Sequence, residues 1–398
     1  MQTKNKWLLI VLSLCMLLSS CSLSLKLVDP GNATVGFGTA FENADSDVLV
    51  PSKPIPSAAQ AVMEHMSLRQ KVGQLVLVGL ESTQQTRDME MLIKDYQVSG
   101  IVLAGHNLTE EAQIATLVHQ GNELANASQL ALRMPLLWCL AEEGGTRQSL
   151  PAAMGRLESA QTIGFQDYIM ALQYGERIGA MFQRVGINTL LGPVFDVSGS
   201  NTAIGNRAFA SDAVRVAYYA TEAMQGLHNA GIISVAKHFP GSGDASASVY
   251  GSFDVVDKNY AQLLGNELLP FVAAFDRNAD AVLVSHVLLS QIDPDNPASL
   301  SPMVIGDLLR GELGYAGIVI SDDVNVDALT SAIAPEQAAV LAIQAGCDMV
   351  VVCNSVQTQS SVLDALYQAC MDGSISPERL EDAVGKVIAL KQSYFLSE

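Results

Sequence analysis

From Gln74 onward the chain alternates between short, almost unbroken apolar runs and longer stretches with helical spacing. Eight runs stand out: QLVLVGL (74–80), GIVLAG (100–105), PLLWCLA (135–141), NTLLGPVFDV (188–197), IISVAKHF (232–239), DAVLVSHV (280–287), GIVISDD (317–323) and DMVVVCN (348–354). They are apolar at successive positions, as strands buried on both faces must be. Stretches such as VRVAYYATEAMQGLHNAG and APEQAAVLAIQAG lie between them and end on a glycine, as helices do. Strand and helix in strict alternation predict successive βα units. Eight parallel strands over about 340 residues fit a single (β/α)8 TIM-type barrel with insertions, spanning residues 57–398. An open doubly wound sheet normally uses fewer strands, and the first βα turn lacks a GxGxxG phosphate loop.

The first 56 residues break this pattern. Lys4 and Lys6 precede the apolar run Trp7–Leu18, which is too short to span a bilayer comfortably and reads as an export signal. Leu18-Ser19-Ser20-Cys21 then resembles a bacterial lipobox. Residues 1–20 are thus expected to be a lipoprotein signal peptide, with Cys21 lipidated as the first mature residue. Several acyl chains on one residue give durable anchoring, at roughly 0.8 kcal/mol per buried methylene. Residues 21–56 are rich in Ser, Pro, Gly, Asn and Asp, end in PSKPIP, and read as a lipid-attached linker. The expected location is the bacterial cell envelope, exported and membrane-anchored.

Composition narrows the function. With 49% hydrophobic and 16% charged residues there is material for a large core. The formal net charge of −19, with no basic run beyond isolated pairs, argues against nucleic acid and favours a neutral or weakly cationic ligand. Beyond Cys21, Cys139, Cys347 and Cys353 lie in or beside apolar runs and read as small core residues. No metal-ligand spacing links them to a histidine, and no metal or organic cofactor is expected.

In a barrel of this kind, chemistry comes from the C-terminal strand ends. Those positions hold His106 and Asn107, Glu142 and Glu143, Asp196, Lys237 and His238, His286, Asp322 and Asp323, and Asn354. Carboxylates, a lysine, imidazoles and amides together suit a polyhydroxylated ligand better than a phosphate or a metal.

The motifs MSLRQKVGQLVLVG, EEGGTRQ, GPVFDV, IGNRAFASD, KHFPGSGD, LVSHV, SLSPMVIGDLLRGELGYAGIVISDDVN and AGCDMVVVCN follow one another through most of residues 66–354. Their order resembles glycoside hydrolase family 3, in its branch of single-domain β-N-acetylglucosaminidases. The resemblance implies a retaining exo-glycosidase that releases terminal β-N-acetylglucosamine (β-N-acetylhexosamine) from cell-wall or chitin-type glycans through a covalent glycosyl-enzyme intermediate. It implies Asp322, the first Asp of SDD, as nucleophile. Arg207 in IGNRAF, Lys237 and His238 in KHFPG, and His286 in VSHV match sugar-binding positions. Asp196 matches a residue that commonly holds a neighbouring loop.

Two departures qualify that expectation. The family's N-acetylglucosaminidases carry an Asp-x-His pair after KHFPGHGD, the His being the general acid/base. Here the stretch is KHFPGSGDASASVYGSF, and the pair falls on Ser248 and Tyr250. Asp244, Tyr250 and Asp254 are the nearby titratable groups, and a tyrosine with its ordinary pKa near 10 is a poor acid at neutral pH. The family's Asp-Gln-Glu-Gly-Gly is here Ala141-Glu142-Glu143-Gly144-Gly145, without the Asp that grips sugar hydroxyls. Two further readings follow from these losses: a catalytically impaired pseudo-glycosidase serving as an envelope sugar-binding lipoprotein, and a purely structural envelope protein.

Overall fold

A computed structural model describes residues 54–128, 134–199, 203–245 and 253–396. Cys21 with its expected signal and linker, and Ser248 and Tyr250, lie outside the described residues.

All eight apolar runs contain strands: β1 (Val76–Gly79), β2 (Gly100–Leu103), β3 (Leu137–Leu140), β4 (Thr189–Leu190), β5 (Ile233–Phe239), β6 (Ala281–Val284), β7 (Ile318–Asp323) and β8 (Met349–Val352). They pair in parallel, each with its sequence neighbours, and β8 closes on β1 with Val76 opposite Val350. The expected barrel is therefore present.

Two elements are shaped by single residues. The run 188–197 yields only two strand residues, because Pro193 has no N–H to offer a ladder. Beyond it a single bridge, Val194 to Lys237, keeps the chain beside β5. The helical stretch before β1 is broken into Ser57–Met63 and Leu68–Gly73 by Ser67, which caps the second helix in a reciprocal capping box with Gln70.

The core has two layers. Between strands and outer helices lies a continuous apolar shell that includes Trp138, Phe182, Phe195, Phe239 and Phe271. Inside the barrel, inward positions of the strands form a second cluster, among them Leu77, Leu137, Cys139, Val235, Leu283, Ile320 and Met349. Cys139 and Cys347 are buried as expected, whereas Cys353 is only partly so, because it sits at the open end of β8.

The last helix, Pro377–Phe395, closes the other end of the barrel with Val387, Leu390 and Tyr394. Beside them Lys391 reaches inward, and its Nζ donates to Gln74 Oε1 and to the Ser99 carbonyl, both at 2.8 Å. Two acceptors suit a neutral amine, which has two N–H groups. Burial brings the Lys391 amine down to about 7. The unfolded chain keeps this proton up to about pH 10, so between these values the unfolded state binds more protons and stability rises with pH. In chemical denaturation, unfolding should become harder by roughly 1 kcal/mol per pH unit from about pH 7 upward. Lys391→Met should lose that slope; a variant with the slope intact would refute the assignment.

Candidate active site

The open end of the barrel is built from loops that leave the C-terminal strand ends. Beyond β3, the buried Glu142 organises its own loop. Its carboxylate accepts from the backbone N–H groups of Gly144 (2.9 Å), Ser149 (2.9 Å) and Leu150 (2.8 Å). Burial raises the Glu142 carboxyl above its ordinary range, against the pull of those three donors. Gly144 continues with φ at 66°, in the left-handed region that glycine tolerates.

The next carboxylate, Glu143, points at two cations. Arg207 meets it with both prongs, Nε to Oε2 at 2.6 Å and Nη2 to Oε1 at 2.8 Å. Lys237 Nζ lies 2.7 Å from Oε1, and its side chain is only 5% exposed. Three strands thus contribute: β3 through Glu143, the loop after β4 through Arg207, and β5 through Lys237. Burial alone would raise the Glu143 carboxyl, but Lys237 and Arg207 hold it well below the carboxylate range. It stays ionised at any pH where the protein works.

His238 extends the cluster. Arg207 Nη2 lies 3.1 Å from His238 Nε2, and a guanidinium can only donate, so Nε2 accepts and the ring proton sits on Nδ1. Nδ1 donates to Asp196 Oδ2 at 2.7 Å. Asp196 is fully buried and also accepts from the His238 N–H (3.0 Å), the Ser242 N–H (2.7 Å) and the Ser242 hydroxyl (2.9 Å). Burial pushes its carboxyl up, and His238 and these donors more than reverse it. Asp196 is thus a loop holder beneath His238. Gly243 brings the same loop against the chain after β4, since a Cβ there would come within 1.5 Å of the Val197 carbonyl.

Asp322 stands at the end of β7, partly buried. One of its carboxylate oxygens accepts the Asp323 N–H at 2.9 Å, and the carboxylate has no other hydrogen-bond or ion-pair partner among the described residues. It is near enough to raise the Arg207 guanidinium electrostatically, after Glu143 and Asp196. The neighbouring Asp323 is structural. Its Oδ1 accepts the N–H groups of Asn325 and Cys353, each at 3.0 Å, and so ties β7 to β8.

His286 lies beyond β6 with both ring nitrogens engaged. Nε2 donates to the Asp323 carbonyl at 2.9 Å, and Nδ1 is 2.6 Å from the Ser299 hydroxyl. It braces the backbone immediately after Asp322. On the far side of the rim, His106 and Asn107 hold the chain after β1, through the Leu80 carbonyl at 2.9 and 3.0 Å. Asp244 is paired with Lys258 at 2.6 Å, and Lys258 also meets the buried Glu267. Among the described residues, no group of three or more His, Cys, Asp or Glu is placed to hold a metal ion, and no helix is long and apolar enough to cross a membrane.

The expected residues Arg207, Lys237 and His238 are therefore joined in one network, with Asp322 close by. Glu143 is the functional residue that sequence reasoning did not single out. It is the second Glu of EEGG at a strand end, but its partners come from other strands, with Arg207 64 positions away. The only local signal is a second acid at the strand end, two residues beyond the acid missing at Ala141.

A model of the glycosyl hydrolase family 3 N terminal domain matches residues 67–390. The β-hexosaminidase of Stenotrophomonas maltophilia strain K279a is 31% identical over 319 residues, which is 78% of this chain and 91% of that protein. A family 3 β-N-acetylglucosaminidase from Paenibacillus sp. strain FPU-7 has a TM-score of 0.79 at 36% identity, covering 82% of this chain and 62% of its own. The β-N-acetylhexosaminidase of Beutenbergia cavernae DSM 12333 has a TM-score of 0.75 at 31% identity, covering 82% of this chain and 98% of its own. Matched along its barrel in both sequence and fold, the chain belongs to glycoside hydrolase family 3.

Proposed function

We propose that the chain is a retaining exo-glycosidase acting on terminal β-N-acetylglucosamine (β-N-acetylhexosamine) of cell-wall or chitin-type glycans. The observation that carries this reading is Asp322, a carboxylate with one engaged and one free oxygen among the described residues, beside the Glu143–Arg207–Lys237–His238 network. The names of the relatives supply the sugar class. Arg207 and Lys237 keep N–H groups beyond those given to Glu143, and these bridge adjacent ring hydroxyls. Their grip turns the anomeric carbon toward Asp322.

In the first step a carboxylate oxygen of Asp322 bonds to the anomeric carbon as the bond to the aglycone oxygen breaks and that oxygen takes a proton. In the second, water attacks the same carbon, gives up a proton, and the ester to Asp322 breaks. His286 serves by holding the peptide after Asp322 in place. The usual proton donor is replaced at Ser248 and Tyr250, and Asp244 is committed to Lys258. An impaired sugar-binding protein is the second reading, supported by those replacements and by Ala141.

The two readings diverge on leaving groups. A positioned acid contributes about 10²–10⁴-fold, most for a poor alkoxide leaving group and least for a phenolate. Full activity requires turnover of both an aryl N-acetyl-β-glucosaminide and a plain disaccharide. Asp322→Asn should lower kcat on either by roughly 10⁴-fold or more. Turnover of the aryl substrate alone marks a weakened acid step, and silence on both alongside measurable sugar binding rules out the enzyme. Glu143→Gln leaves two buried cations without their counter-charge, and should raise KM roughly 10-fold or more. An unchanged KM would remove Glu143 from the binding site.

The same reading places the barrel on the envelope by a lipid on Cys21, at the start of the linker 21–56. Cells fed a labelled fatty acid should incorporate it into the wild-type protein. Cys21→Ala should abolish both the label and membrane fractionation; a labelled variant rejects the anchor.

A further inference from the structure

Exposed apolar surface is concentrated in one place. Of nine exposed large apolar side chains among the described residues, five come from two neighbouring segments: Phe165, Tyr168, Ile169, Val214 and Tyr218. Phe165 is 79% exposed, although a phenyl ring is a large apolar area to leave in water. Tyr168 and Tyr218 meet edge to face with centroids 5.3 Å apart, which makes the two segments one surface. Beneath them, Tyr219 Oη donates to the Gln166 carbonyl at 2.5 Å, and Arg215 donates to the Gly164 carbonyl. The two segments are therefore tied together beneath side chains that stay exposed.

Its position follows from the topology. The helices Ile169–Val185 and Ala213–Asn229 follow β3 and β4, so their N-terminal turns lie at the C-terminal ends of the strands. That is the face on which Asp322 and the cation cluster open. The short helix Ala160–Gly164 packs on the turn Gly205–Arg207. Gly164 has no room for a side chain, because a Cβ would come within 1.8 Å of the Phe209 carbonyl. Phe165 is thus pinned against the segment that carries Arg207.

We propose that Phe165, Tyr168 and Tyr218 form a stacking platform for a neutral N-acetylhexosamine polymer, outside the catalytic pocket and beside its Arg207 wall. The proposal rests on the sugar class assigned above. Aromatic faces present their negative quadrupole to the axial C–H groups of pyranose rings, and tyrosine adds a hydroxyl for the wet side. The other occupants fit less well. Five side chains fall far short of the roughly 20–30 residues per side of a stable protein interface, and a second copy would bring another net charge of −19. The same charge opposes an anionic lipid surface. A neutral polysaccharide meets no such repulsion.

The test uses purified full-length wild type and a Phe165→Ala/Tyr168→Ala/Tyr218→Ala variant, with chitin beads as the polymer probe. All three residues are exposed, and circular dichroism checks that the variant folds. Wild type should be retained on chitin, and the variant should bind at least tenfold more weakly. Turnover of the aryl N-acetyl-β-glucosaminide should stay within about twofold, because the platform touches neither Asp322 nor the cation cluster. Equal retention of the two proteins overturns the proposal, as does absence of wild-type retention while the aryl substrate is turned over. A variant that instead loses vesicle binding or self-association, with chitin binding intact, overturns it in favour of those partners. Chitin retention is read without catalysis, so an inactive wild type would count against the glycosidase reading and leave the platform result standing on its own.

Discussion

Two cations sunk into the mouth of a barrel, with one carboxylate between them, set the terms for this site. Arg207 and Lys237 would each lose most of their hydration without compensation. Glu143 supplies it, two prongs to the arginine and one oxygen shared with the lysine. Because Glu143 and Lys237 come from the ends of β3 and β5 and Arg207 from the loop after β4, the same contact that neutralises charge also fixes these neighbouring segments relative to one another. Breaking it would cost more than a surface salt bridge could, since a lone buried charge is left behind.

Below that contact the polar groups are saturated. Asp196 takes four donors and Glu142 three, spread over both oxygens of each carboxylate. Saturated groups have little reason to move toward a ligand, so they hold the groups above them in a defined place. Asp322, by contrast, keeps an oxygen without a hydrogen-bond partner among the described residues. At the opposite end, the final helix packs Val387, Leu390 and Tyr394 against the lower layer and buries the Lys391 amine on Gln74 and the Ser99 carbonyl.

The barrel was legible because its strands are buried on both faces, and such strands are written as unbroken apolar runs. Where a run carried its own punctuation, as at Pro193, the strand stopped early while the chain kept its course beside β5. Arg207, in the loop after β4, was legible only through the motif IGNRAF, whereas Lys237, His238 and Asp322 were legible because polar residues at strand ends interrupt that apolar pattern. Glu143 was visible for the same reason, but its role was not, because pairing between strands leaves no trace in local spacing. The engagement of both His286 nitrogens was hidden in the same way, since Ser299 and the Asp323 carbonyl are neighbours only in the closed barrel. The exposed rings at Phe165, Tyr168 and Tyr218 lie in segments whose periodicity reads as ordinary helix, and only accessibility separates them from core aromatics.

The cation cluster also bears on whether the barrel merely supports an envelope structure. Fixing three loops does not by itself require two buried cations and a carboxylate. Apolar residues of similar volume would fill the same space at equal or lower free energy, since desolvation offsets most of what a buried ion pair gains. Keeping Arg207 and Lys237 ionised at 17% and 5% exposure makes physical sense when their remaining N–H groups meet hydroxyls that arrive from solution. Ala141, two residues before Glu143, brings only a methyl group and adds nothing polar to this cluster. The Glu143–Arg207–Lys237 contact is therefore complete without an acid at position 141, and Asp322 keeps an open carboxylate oxygen near it.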